Sequence, residues 1–97
     1  MKINFTGHGI DVTPALQAFA NEKFAKLEKH FERITSIHVI FSIEKHNQIA
    51  EATIIVHKNE LHASSESDTM YTAIDLLVDK LDKQLIKYKE KMKDHRD

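Results

Sequence analysis

The chain has 97 residues, with 14 Lys and Arg against 15 Asp and Glu and a formal net charge of −1. That length suits one domain with one modest core, and the near-zero charge leaves any nucleic-acid contact to local sorting of charge rather than to an overall field. Without cysteine there are no disulfides or thiolate metal sites; no apolar run approaches the ~20 residues of a membrane span, and the amino terminus lacks a signal-peptide core, so the expected home is the cytoplasm.

Residues 2–6 alternate, Ile3 and Phe5 against Lys2, Asn4 and Thr6, which predicts a short strand with one buried face. Gly7-His8-Gly9 breaks the alternation and permits a turn at positive φ. Thr13-Pro14 is a helix start, with Thr as N-cap and Pro at the first helical position. From there to about Arg33, Leu16, Ala20, Phe24, Leu27 and Phe31 form an apolar face. Lys26, Lys29 and Arg33 line up opposite it, and Glu28 and Glu32 occupy another flank.

Ile37 to Ile43 is an alternating strand, with Ile37, Val39, Phe41 and Ile43 on one side and His38, Ile40 and Ser42 on the other. Glu44 to Gln48 is polar and reads as a turn. Alternation resumes from Ile49 to Lys58 with Ala50, Ala52, Ile54 and Val56 inward, and Leu61, Ala63 and Ser65 continue it in a fourth strand. A two-residue loop at Asn59-Glu60 would pair Val56 with Ala63 and His57 with His62, keeping inward opposite inward.

No Gly or Pro interrupts the stretch from Asp68 to Asp97. Met70, Ile74, Leu77, Leu81, Leu85 and Tyr88 recur at helical spacing, Ala73 and Val78 widen the stripe, and Asp68 stands at the N-cap position. At ~100° per residue, Lys80, Lys83, Lys87 and Lys91 share a strip beside the apolar face, while Asp75, Asp79 and Asp82 share a neighbouring one. From Lys89 onward the apolar content falls, and the helix is expected to extend beyond the sheet or fray.

The order strand, helix, three strands, helix predicts an α+β fold, β-α-β-β-β-α, with the short joints between strands two, three and four favouring antiparallel pairing. Both helices pack on one face of a four-stranded sheet. The other face, carrying His38, Ile40, Ser42, Thr53, Ile55, His57, His62 and Ser64, is expected to be mostly polar and wet.

Seven histidines invite a metal reading, and His57 with His62 as cross-strand neighbours would supply two ligands. No Cys and no His-Glu-x-x-His helix completes the set, so exposed polar residues on a wet face are the plainer account, and no cofactor is expected. No Gly-x-Ser-x-Gly, P-loop or Gly-x-Gly-x-x-Gly is present, and two glycines build no phosphate cradle. The basic strips are the stronger signal: between Lys80 and Lys93 there are six lysines against two acids. Two basic helices side by side would make one ridged patch for phosphates, read by charge and shape rather than by base. The rival account is ordinary helix electrostatics, with bases near a C-terminus and i,i+4 pairs such as Glu22–Lys26 and Asp79–Lys83. No recognition helix for DNA is visible, and the strands lack the aromatic platform of an RNA-recognition motif.

Several segments together resemble bacterial ribosome hibernation promoting factors, of the ribosome-associated inhibitor family. These are Met-Lys-Ile-Asn-Phe-Thr-Gly at the start, Lys23-Phe-Ala-Lys-Leu-Glu-Lys29, and His62-Ala-Ser64 leading to Asp68-Thr-Met-Tyr-Thr-Ala-Ile-Asp75. Asp79-Lys-Leu-Asp-Lys-Gln-Leu-Ile-Lys-Tyr-Lys-Glu-Lys91 completes the set. The resemblance runs nearly end to end and implies a fold similar to double-stranded RNA-binding domains, with the first strand as an addition.

It also implies a non-enzymatic protein that binds 16S ribosomal RNA of the small ribosomal subunit where messenger and transfer RNA would sit. Such a protein inhibits translation in stationary phase. Length is that of the short form, which acts with ribosome modulation factor to favour paired, inactive (100S) ribosomes. The related ribosome-associated inhibitor carries a further C-terminal tail. The contact residues this implies are Lys23, Lys26, Lys29, Arg33, Lys80, Lys83, Lys87, Lys89, Lys91 and Lys93. Residues 1–97 are expected to form a single ribosome-binding domain, a monomer when free, with neither DNA nor membrane as partner. Two other readings stay open: a protein-interaction module using the polar sheet face or the protruding helix end, and a small metal-dependent enzyme resting on His57 and His62.

Overall fold

The computed structural model describes residues 2–31 and 33–94, with side chains described through Lys91. The element order is β1 (Lys2–His8), α1 (Pro14–His30), β2 (Ile34–Glu44), β3 (Asn47–Val56), β4 (Asn59–Ser67) and α2 (Met70–Asp94). The four strands form one sheet in the order β1-β2-β3-β4. β1 runs parallel to β2, as a crossover through a helix permits, and the two hairpins that follow are antiparallel.

Both helices cover one face of this sheet. Leu16, Ala20, Phe24 and Leu27 of α1 and Ala73, Ile74, Leu77, Leu81 and Leu85 of α2 close over Ile37, Val39, Phe41, Ala50, Ala52, Ile54 and Val56. Small Ala50 and Ala52 on β3 and Ala63 beside them on β4 leave room for the larger side chains of the helices. Phe5 stacks on Phe41 across β1 and β2, with ring centroids 5.9 Å apart. At 25 residues and ~1.5 Å rise each, α2 is the longest element, and the molecule measures 49 × 22 × 19 Å.

Several boundaries differ from the sequence-based expectation, each for a physical reason. β1 continues through Gly7 to His8, and the positive φ falls at Gly9 (74°). Gly7 pairs with Phe41 in the strand, and glycine is required there because a Cβ would collide with the Ile10 carbonyl oxygen. Thr13 caps α1 as expected, its hydroxyl accepting from the Leu16 N–H at 3.1 Å. The helix stops at His30 rather than near Arg33, because Phe31 turns extended and buries its ring 5.9 Å from those of His57 and Tyr88. Arg33 therefore lies in the turn before β2, and Glu32 is outside the described residues.

β2 begins at Ile34, ahead of the expected Ile37, with a bulge between Ile34 and Ser36 that brings both Ile34 and Ile37 inward. Ile43, expected inward, is 43% exposed, because pairing with Gln48 at the hairpin end carries it past the buried core. The cap of α2 is Thr69, not Asp68: its hydroxyl accepts from the Thr72 N–H at 3.2 Å and its carbonyl from the Ala73 N–H at 3.1 Å.

The β3–β4 turn is the largest correction. It consists of His57 and Lys58, both at positive φ (51° and 66°), the conformation that a tight two-residue hairpin demands. Val56 thus pairs with Asn59, and Ala63 with Ala52 rather than Val56. The shift is even, so inward residues still meet inward residues. His57 and His62 are not cross-strand neighbours: His62 pairs with Thr53, while His57 packs on the helix side. Non-glycine residues hold positive φ here because the turn is tied down, with Asn59 Nδ2 donating to the His57 carbonyl at 3.2 Å and to Tyr88 Oη at 3.0 Å.

Candidate nucleic-acid interface

Most cations of each helix lie on one flank, and the way the helices dock decides what those flanks meet. On α2, Lys80 Nζ donates to the Ser64 carbonyl at 2.8 Å and Gln84 Nε2 to the His62 carbonyl at 2.9 Å. That fixes this flank of the helix over the β4 edge. At ~100° per residue, Lys87 and Lys91 follow on the same flank, and both are exposed. Lys83 stands nearer the crest, 3.1 Å from Asp79 one turn earlier. Lys89 lies on the other flank, lining a groove with His30, Phe31 and Ile86. The side chain of Lys93 and the whole of Arg96 lie outside the described residues.

On α1, the basic flank faces α2. Lys23 Nζ lies 3.1 Å from Asp75 Oδ1, and His30 Nδ1 lies 3.1 Å from Asp82 Oδ1. Lys26 lines the groove between the helices with Asp75, Asp79 and Asp82. Lys29 points to solvent on the outer surface and Arg33 is exposed in the turn before β2. The expected single basic ridge is therefore divided. The acidic flank of α2 docks against the basic flank of α1, and a row of aspartates separates the α1 cations from Lys80, Lys87 and Lys91. Opposite charges meet across the helix contact, although pairs this exposed add little to stability.

The open face of the sheet is unsuited to phosphates. Glu51, Glu60 and Glu66 lie on it, against Lys2 at the β1 edge. Ile40, Ile49 and Ile55 are half-buried among polar neighbours, and Thr6 Oγ1 meets His38 Nε2 at 3.3 Å. His57, expected on this face, is instead part of a cluster under α2. Among the described residues no three His, Asp or Glu side chains gather as a metal site would require, and no helix is long and apolar enough to cross a membrane.

One feature of the helical face escapes sequence reading. Phe19 of α1 and Tyr71 of α2 meet edge to face, with centroids 4.8 Å apart and planes at 82°. The Lys23 ammonium sits 5.2 Å from the Phe19 centroid. Phe19 is partly buried beside the α1 stripe and Tyr71 falls beside the α2 stripe; their contact depends on how the two helices dock.

The family model described as Sigma 54 modulation protein / S30EA ribosomal protein matches residues 3–93. Curated relatives named ribosome hibernation promoting factor are similar over nearly the whole chain. The Azotobacter vinelandii protein is 54% identical over 91 residues, covering 94% of this chain and 85% of that protein. The Salmonella typhimurium protein is 48% identical over 95 residues, covering 98% and 100%. Among solved structures, a ribosomal subunit interface protein from Coxiella burnetii superposes with a TM-score of 0.89 at 39% identity, covering 93% of this chain and 99% of that one. The N-terminal domain of Thermus thermophilus Protein Y shares the fold, with a TM-score of 0.83 at 23% identity over 91% of this chain and 99% of that one.

Proposed function

The chain belongs to the Sigma 54 modulation protein / S30EA ribosomal protein family, and from that premise we propose that residues 1–97 act as one ribosome-binding domain that silences idle ribosomes. The observation that carries this reading is the 54% identity to a ribosome hibernation promoting factor along 94% of the chain. On this reading the protein occupies the messenger and transfer RNA channel of the small subunit, in the cytoplasm, during stationary phase. It acts by occupancy and not by catalysis. Together with ribosome modulation factor it favours paired, inactive ribosomes.

The geometry supports a docking polarity. Phosphates attract the helical layer and repel the glutamates of the open sheet face. Lys83, Lys87 and Lys91 on α2 form the leading contact surface, with Lys89 on the other flank of the same helix and Lys93 further along the chain as additional proposed contacts. Lys23, Lys26, Lys29 and Arg33 form a second one across the aspartate row, and Lys80 borders the first at the β4 edge. Contacts of this kind orient a protein on RNA without reading its sequence.

Co-sedimentation with small subunits tests the assignment. Reversal of Lys83, Lys87 and Lys91 to Glu should abolish binding at physiological salt while the fold, followed by circular dichroism, persists. Undiminished binding by this variant would place the contact elsewhere. For the wild type, the logarithm of affinity should fall linearly with the logarithm of salt concentration, with a slope of roughly one for each phosphate engaged. Sucrose gradients then address pairing: a paired-ribosome peak that needs both this protein and the modulation factor fits the reading, and single inactive ribosomes alone would contradict pairing.

A further inference from the structure

Tyr71 is 44% exposed although it is aromatic and sits in the first turn of the longest helix. Its orientation is nevertheless held. The edge-to-face contact with Phe19 braces it from α1, and Lys23 lies over the Phe19 ring while also pairing with Asp75, one helical turn beyond Tyr71. An edge-to-face contact covers at most one face of either ring, so Phe19 leaves at least one face of Tyr71 open. The result is a braced aromatic surface on the helical side of the molecule, with an ammonium group over the bracing Phe19 ring. An isolated exposed aromatic needs no explanation; one held by a neighbouring helix, with a cation on the ring that braces it, has the components of a stacking platform for a base and its phosphate.

We propose that Tyr71, braced by Phe19 whose ring carries the Lys23 ammonium, stacks an unpaired nucleobase of the bound RNA. This rests on the RNA-binding reading above and adds a specific contact to it: the lysines engage the backbone without regard to base, whereas Tyr71 engages a base splayed out of its helix. The site lies between the two cationic flanks, at the start of α2, where a strand spanning the aspartate row would pass.

The chain has no Trp and two Tyr, so the Tyr88→Phe protein reports on Tyr71 alone by fluorescence. The probes are a mixed-sequence single-stranded RNA hexamer and a hexamer of the same backbone with abasic riboses. Stacking predicts saturable quenching of Tyr71 emission by the first and none by the second; equal quenching by both overturns the proposal. In co-sedimentation with small subunits, Tyr71→Leu should lose roughly ten-fold in affinity, the effect of losing one stacked base, while Tyr71→Phe stays within about two-fold of wild type. If the Lys83, Lys87 and Lys91 reversal abolishes binding but Tyr71→Leu binds as wild type, the stacking contact is refuted and the RNA reading stands. If the wild type itself fails to bind small subunits, the RNA reading falls and the stacking contact with it.

Discussion

His57 Nδ1 lies 3.1 Å from Tyr88 Oη, joining the tip of the β3–β4 hairpin to the second half of α2. The same hydroxyl accepts from Asn59 Nδ2 at 3.0 Å and reaches the Val56 carbonyl at 3.5 Å, and Phe31 closes the cluster from the end of α1. A turn with two non-glycine residues at positive φ carries backbone strain, and this hydroxyl is what its polar groups converge on. Tyr88→Phe keeps the ring and removes the hub. It should lower stability by about 1–2 kcal/mol, the effect of unpairing partly buried polar groups, and lower the melting temperature by roughly 4–8 °C per kcal/mol in a domain of this size. Thermal unfolding followed by circular dichroism measures it; an unchanged melting temperature would mean that water replaces the hydroxyl without loss.

Ser65 presents the opposite case. It points inward on β4, is 6% exposed, and its hydroxyl has no hydrogen-bond partner. Its neighbour across the ladder is Ala50. Ser65→Ala removes a buried polar atom and little volume, so it should be neutral or stabilising by up to about 1 kcal/mol. Urea unfolding decides this; a loss greater than 1 kcal/mol would show that the hydroxyl is satisfied in solution.

Much of the architecture could be read from the chain because the relevant signals are local. The stripes through Leu16, Phe24 and Leu27, and through Ile74, Leu77 and Leu81, identify both helices and the faces they bury. Thr13-Pro14 marks the start of α1, and the alternation at Ile37, Val39 and Phe41 marks β2. What stayed hidden depends on contacts between elements. The turn at His57-Lys58 contains neither Gly nor Asn and is held by Tyr88, 30 residues later, so turn chemistry pointed instead to Asn59. Periodicity shows that the lysines and aspartates of α2 occupy different flanks, but not which flank meets α1. Lys23 next to Asp75, and Phe19 next to Tyr71, appear only once the helices are docked.

That docking yields a prediction about the aspartate row. Asp75, Asp79 and Asp82 lie between the two cationic flanks and would repel RNA phosphates crossing from one to the other. Each such charge costs ~0.5 kcal/mol at about 8 Å in water. Changing all three to Asn should therefore raise affinity for small subunits by roughly ten-fold at low salt, with the gain shrinking as salt screens it. Stability should fall by no more than about 2 kcal/mol, because three ion pairs this exposed are each worth little. Co-sedimentation across a salt series is the measurement. Unchanged or weaker binding would mean that the RNA does not cross the groove between the helices.

Lys80 separates itself from the other lysines by what its ammonium already does. It donates to the Ser64 carbonyl at 2.8 Å, while Gln84 donates to the His62 carbonyl, so two outward carbonyls of the β4 edge are occupied by α2. Edge strands with free carbonyls and amides recruit other strands, and side chains laid along them block that pairing. Two outcomes follow from this one geometry. In RNA binding, Lys87→Ala and Lys91→Ala should each flatten the salt slope by about one, while Lys80→Ala changes it much less. In self-association, replacing Lys80 and Gln84 together with Ala should yield concentration-dependent oligomers in sedimentation velocity under conditions where the wild type shows none. A double variant that sediments as the wild type would show that the two side chains do not guard the edge. A Lys80→Ala slope as shallow as that of Lys87→Ala would show that Lys80 leaves Ser64 to meet a phosphate.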